Sequence, residues 1–291
     1  MENKKTFFTG LLALGAGAAL LGFSAIFVRI SETSPSTTAF YRALLALPFL
    51  YLWLYISKEQ TNWKFDRKTI FIFLASGIFF GCDMAFWNWS IEYTSVAHAT
   101  LLANTAPIFV TLIAFIFLKQ TISPIFFSFL LMAMGGVFLV ITSGSGGDEE
   151  RLFGDYLGIV AAIFYAGYIL SLKNLTNEIS PQKVLFISTL VTALFLFPIG
   201  YVESTNFYPS SFKGWSVLLS YALVSQVVAS GLITYGISKI SVHLSSLFLL
   251  IQPIAAAIYG WFLLSESLVP TQIFGGFIVL IAIYLASTRS N

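Results

Sequence analysis

The sequence predicts an all-α integral membrane protein of ten transmembrane helices, arranged as two inverted five-helix repeats. Three observations carry that expectation. First, of 291 residues 57% are hydrophobic and only 10% charged, where a soluble domain carries about 25% charged residues; mean hydropathy is +0.86. Such a chain cannot cover itself with a polar surface, so lipid must be its solvent. Second, ten apolar runs approach the roughly 20 residues that span a bilayer's hydrocarbon. Third, several prolines recur at one fixed offset.

In chain order the runs lie near 7–30, 36–56, 69–90, 96–118, 124–142, 154–173, 183–203, 214–238, 243–263 and 270–288. The first follows Lys4 and Lys5 and so mimics a signal peptide, but nine further runs make an uncleaved first helix the better expectation. The longest connections, 57–68 and 143–153, leave nothing over for a soluble domain.

Loop charge predicts the orientation. With the N-terminus inside, the inner segments hold Lys4, Lys5, Lys58, Lys64, Arg67, Lys68, Lys119, Lys173, Lys183, Lys239 and Arg289, which is 11 of the 15 basic residues. Both termini are then expected in the cytoplasm, which agrees with an even number of spans.

The repeat is read from an offset of 146. It takes Pro35 to Pro181, Pro107 to Pro253, Pro124 to Pro270 and Ser95-Val96 to Ser241-Val242. The halves are 7–142 and 154–288. Five helices per half is an odd number, so the second half enters the membrane inverted. Carriers built this way place their site near the midplane, where the halves meet.

Composition also excludes classes. A net charge of +2 with dispersed charges gives no nucleic-acid surface. One cysteine, Cys82, allows neither an internal disulfide nor a cysteine metal cluster. His98 and His243 are too far apart in sequence to define a metal site, and no cofactor is expected. The residues around 143–147 lack the Lys-Ser/Thr of a phosphate loop. Asn88-Trp89-Ser90 matches a glycosylation sequon but lies at a membrane helix end. Gly135-Gly136 and Gly275-Gly276 read as close helix packing. No nucleophile–base set is present, so the chain is not expected to be an enzyme.

The candidate site centres on residues 81–107. Asp83 is the acid inside an apolar run, and an intramembrane charge is a functional-site hypothesis by default. Ser76, Phe80, Asp83, Trp87 and Ser90 share one helix face. An anion beside an aromatic face suits an amine-bearing ligand. The structural alternative is an ion pair with Arg42, since both residues lie roughly 9–10 Å from the outer helix ends at 1.5 Å per residue. In the fourth run Thr100, Asn104, Pro107 and Thr111 share a face. In the ninth, Ser245, Phe248, Gln252, Ala256 and Tyr259 do. Asn104 and Gln252 each precede a proline that frees a carbonyl one turn earlier, which makes a polar spot in an apolar surround. Gln226 sits mid-membrane in the eighth run, and Tyr165 and Tyr168 share a face of the sixth. The expectation is that Asp83, Trp87, Asn104, Tyr165, Gln226 and Gln252 converge on one space, with Tyr168 close by.

These features resemble the drug/metabolite transporter superfamily, in its ten-helix form of two EamA-type repeats. The resemblance rests on Phe40-Tyr41-Arg42, on Asp83 with Trp87, on Tyr93-Thr94-Ser95-Val96-Ala97, on 101–107, and on Leu264-Ser265-Glu266-Ser267-Leu268 with Pro270, leading into Gly275-Gly276. It departs at Lys119-Gln120-Thr121, where a Gly-Glu-Arg-like turn is usual. It implies an inner-membrane carrier, monomeric or weakly dimeric, with a central cavity lined by helices one, three, four, six, eight and nine. It implies export of small amino acids, aromatic amino acids or related metabolites by alternating access. Uptake of a vitamin or nucleoside-like compound, and a non-transporting scaffold or sensor, are the alternatives.

Overall fold

The computed structural model describes residues 2–58, 65–93, 96–116, 119, 123–141, 149–204, 206–264 and 270–289. Every regular element among them is helical. The first span is α1 (Glu2–Leu21) and α2 (Ser24–Ile30); the second is α3 (Pro35–Ile56) and the third α4 (Arg67–Tyr93). The fourth is α5 (Val96–Ala103) and α6 (Ala106–Ile116); the fifth is α7 (Pro124–Ile141). The second half follows with α8 (Glu149–Leu175) and α9 (Pro181–Glu203), then α10 (Phe212–Tyr221), a π-helical segment (Ala222–Ala229) and α11 (Ser230–Lys239). It ends with α12 (Val242–Phe248), α13 (Ile251–Leu264) and α14 (Pro270–Arg289). The expectations placed on Thr94, Ser95, 143–147, 265–268 and the side chains of His98 and Leu101 lie outside the described residues.

Seven of these spans are long and apolar enough to cross a membrane, and Ala106–Ile116, Pro124–Leu139 and Ile273–Thr288 are shorter apolar helices. The first of these is short because the fourth span is broken. Pro107 lacks an N–H and its ring crowds the preceding turn. The chain answers at Asn104-Thr105 with tighter bonds, Thr105 N to Leu102 O at 3.0 Å and Ile108 N to Thr105 O at 2.9 Å. The ninth span breaks in the same way at Leu249-Leu250, ahead of Pro253, with Gln252 N donating to Leu249 O at 3.0 Å.

Helix starts keep the sequence offset. Pro35 and Pro181 open α3 and α9, Val96 and Val242 open α5 and α12, and Pro124 and Pro270 open α7 and α14. Proline suits a first helical turn, whose N–H has no intrahelical partner, and its φ is already helical. The two halves are not conformational copies. The first span breaks at Gly22-Phe23 while α8 runs straight through, and α4 is regular where its counterpart carries the π segment.

The halves share one core. α4 packs along α8 and α9, α3 along α9, α1 along α11, and α7 along α14. Leu14, Phe80, Met84, Tyr168, Leu196 and Ile237 belong to one buried cluster drawn from both halves. The α7–α14 contact requires glycine: a Cβ on Gly136 would lie 2.7 Å from the Gly275 carbonyl oxygen. Phe71, Phe138, Leu194, Phe262 and Phe277 point outward, where lipid takes the place of water.

Candidate functional site

The breaks and the α4–α8 contact enclose a cavity of about 70 Å³ between the halves. Arg42 of α3, Phe80, Asp83, Trp87 and Asn88 of α4, and Thr100 and Asn104 at the broken fourth span line it from the first half. Tyr165 of α8, Tyr221 of α10 and Gln252 of α13 line it from the second. The structure thus brings together Asp83, Trp87, Asn104, Tyr165 and Gln252. It leaves Gln226 and Tyr168 one layer behind. Tyr168 stacks on the Phe80 ring at 4.3 Å, and Gln226 is fully buried behind Arg42.

Arg42 is built in firmly. Its Nε donates to Gln226 Oε1 at 2.9 Å and its Nη1 to Tyr221 Oη at 3.2 Å. Its guanidinium carbon lies 5.4 Å from the Phe80 ring centroid and 5.1 Å from that of Tyr221. Gln226 Nε2 in turn donates to Thr189 Oγ1 at 2.9 Å. A cation buried in this way needs such partners, because its desolvation is otherwise very costly. Arg42 gives these bonds to the π segment and α10, and it lines the same cavity as Asp83, close enough for the two charges to act on each other.

Two polar atoms at the cavity wall have no protein partner. Asn88 Oδ1 and Thr100 Oγ1 are buried and unbonded, although Asn88 Nδ2 donates to Pro35 O at 2.9 Å. A buried acceptor left this way costs about 1–3 kcal/mol unless water or a ligand satisfies it. Asn104 Nδ2 donates to Thr100 O at 2.7 Å and so caps the break in its own span. Sequence reasoning missed Asn88 and Tyr221 as wall residues. Among the described residues no group of His, Cys, Asp and Glu is arranged to hold a metal ion.

At one end of the molecule two carboxylates tie the halves together. Glu32, in the turn after α2, accepts from Ser210 N and Ser210 Oγ at 3.0 Å each, from Ser211 N at 3.1 Å, and from Ser211 Oγ. Glu203, at the end of α9, accepts from Trp89 Nε1 at 3.0 Å and Ser36 N at 3.4 Å. The Ser211 hydroxyl, with the Ser210 hydroxyl and both backbone N–H groups, holds Glu32 below its ordinary 4.5 against the opposing effect of burial. A depressed carboxyl pKa gives a contact that is present above the ordinary value and lost as pH falls through the lowered one. The tie is therefore intact at neutral pH and released in acid. Glu32→Gln is expected to raise the reactivity of a Thr100→Cys probe, in a Cys82→Ala background, toward an impermeant thiol reagent applied from the Glu32 end. Acidifying through the lowered Glu32 pKa should do the same for the parent, once the rate is corrected for the smaller thiolate fraction with an exposed-cysteine control. An unchanged rate in both cases would show that this tie does not control entry.

Comparison with known proteins places this arrangement. The model of the EamA-like transporter family matches residues 8–142 and again residues 152–288. The chain belongs to that family. It is 26% identical to the uncharacterized transporter YetK of Bacillus subtilis, over 88% of this chain and 79% of YetK. It is 23% identical to the pseudopaline exporter CntI of Pseudomonas aeruginosa, over 97% and 96%. It is 26% identical to the threonine/homoserine exporter RhtA of Escherichia coli, over 67% and 65%. A solved crystal structure covers 99% of this chain and 97% of its own, with a TM-score of 0.75 at 14% identity, which shows a shared fold. This EamA-family protein is thus a multi-pass membrane transporter. Its family implies a small-molecule substrate and a lipid surround.

Proposed function

We propose that this transporter exports a small zwitterion, an α-amino acid or a close derivative, by alternating access. The observation that carries the reading is that Arg42 and Asp83 line one cavity while Arg42 is held by other partners. A guanidinium has five N–H donors, and the two bonds above leave donors for a carboxylate. Asp83 and the unbonded Asn88 Oδ1 are acceptors suited to an ammonium group. Trp87 and Tyr165 offer aromatic faces to the same ligand.

The cavity volume of 70 Å³ is well below the ~300–1,000 Å³ of ligand sites. It holds about two waters at ~30 Å³ each, so binding requires the halves to move apart. The family match, with named exporters among the relatives, supports a carrier. The weighting of Lys and Arg toward one set of loops supports cytoplasmic termini in a cell membrane, and the unequal halves suit one functional unit per chain, as monomer or weak dimer.

Counterflow in proteoliposomes tests the reading. Liposomes loaded with threonine, homoserine or an aromatic amino acid should accumulate the labelled compound, while N-acetylated and methyl-ester forms should neither accumulate nor compete. Accumulation of vitamins or nucleosides instead would overturn the substrate class. No exchange across the whole panel would favour a scaffold. Release of amino acids from loaded cells, rather than their uptake, fixes the direction.

A further inference from the structure

A second cavity of about 630 Å³ runs along α8 from Ile163 to Asn177. It is distinct from the first: Phe80 and Tyr165 line the cavity between the halves, whereas their chain neighbours Phe79 and Phe164 line this one. Its chemistry changes along its length. The deep end is formed by Ile163, Phe164 and Phe79, with Ile113 of α6 alongside. The other end presents Lys173, Asn174 and Asn177, where α8 terminates at Leu175. At 1.5 Å per residue, the helical positions 163–175 cover about 18 Å, enough to pass from mid-bilayer through one leaflet's ~15 Å of hydrocarbon to the headgroups.

The polar end is positively charged and fixed in place. Lys173 Nζ donates to Ile237 O at 2.9 Å and to Ile240 O at 2.7 Å, at and just beyond the C-terminal end of α11. An ammonium has three donors, so one remains. Lys239 lies near enough for the two charges to repel each other. An anion placed between them relieves that repulsion.

We infer that this slot binds one anionic phospholipid, with an acyl chain along α8 and its phosphate at Lys173 and Asn174, within the field of Lys239, whose ammonium lies over the Tyr235 ring. Charge complementarity selects an anionic over a zwitterionic headgroup, by roughly fivefold per lysine at a membrane surface. The reading does not depend on which solute is carried.

The test uses the full chain in liposomes containing a trace of photoactivatable phosphatidylglycerol or phosphatidylcholine, with the reactive group near the chain end, followed by peptide mapping. Phosphatidylglycerol should label the 163–177 peptide at least fivefold more than phosphatidylcholine does. Unlabelled phosphatidylglycerol should compete, and inorganic phosphate should not. Lys239→Gln should shrink the headgroup preference. Ser171→Trp, which fills the slot without touching a charge, should remove the labelling by both lipids while the melting temperature shows the fold intact. Equal labelling by the two lipids would overturn the proposal. So would labelling spread evenly over the outward faces around Phe71, Phe138 and Phe277, and so would competition by inorganic phosphate, which would mark a site for a free anion.

Discussion

Replacing Arg42 with alanine is expected to destabilise the protein by about 2–4 kcal/mol and to abolish transport. The change removes two charge-assisted hydrogen bonds, each typically about 1.5–3 kcal/mol, offset in part by the relief of burying a cation. It also strands Gln226 Oε1 and Tyr221 Oη, on residues 0% and 1% exposed. Arg42→Lys should recover part of the stability, since the charge stays, but not transport, because an ammonium cannot reproduce the planar fork. Thermal unfolding in detergent and substrate counterflow read the two effects separately. In the double variant Arg42→Ala with Gln226→Leu, the stability loss should fall well short of the sum of the singles, because they break the same bond. Additive losses would mean that the Arg42–Gln226 contact contributes little.

Asp83→Asn is expected to act in the opposite way, leaving the fold nearly unchanged and weakening substrate binding by about 10- to 100-fold, the equivalent of one charge-assisted hydrogen bond. The loss should be confined to substrates with an ammonium group. A desamino analogue should bind the variant and the parent alike. Binding measured by tryptophan quenching or by competition in counterflow checks this. A fall in melting temperature as large as that of Arg42→Ala, with no selectivity between amine and desamino ligands, would assign Asp83 a structural role instead.

The contrast between these residues shows what could be read from the chain. The spans are legible because burial in lipid demands long apolar runs. Asp83, Asn104 and Gln252 stand out because each is polar where an apolar residue costs nothing. The carbonyls freed before Pro107 and Pro253 follow from proline chemistry, but the breaks do not, since Pro48 and Pro198 lie inside the unbroken α3 and α9. Four further things were not legible, each for a definite reason. Asn88 lies in a sequon at a helix end and looks superficial, but α4 continues to Tyr93 and carries it inward, to 2% exposure. Tyr221 is one aromatic among 30 Phe, 13 Tyr and 6 Trp, so its identity carries little signal. The partners of Arg42 depend on how α10 and the π segment are rotated, and the change of hydrogen-bond spacing at Ala222 shifts the azimuth of the side chains that follow. The π segment itself has no side-chain pattern, because a bond to the fifth residue rather than the fourth is a property of the backbone.

That segment, Ala222–Ala229, leaves the eighth span with slack that a regular helix lacks. Slack of this kind can travel. Passing a bulge along by a single position turns the residue it passes through about 100° around the axis and shifts it by about 1.5 Å, while the rods on either side keep their places and nearly every backbone bond is re-formed. Gln226 lies inside the bulge, so such a ratchet would swing its amide away from Arg42 without melting α10 or α11. The buried cation could then be handed to a new partner by the turn of one residue within a standing rod.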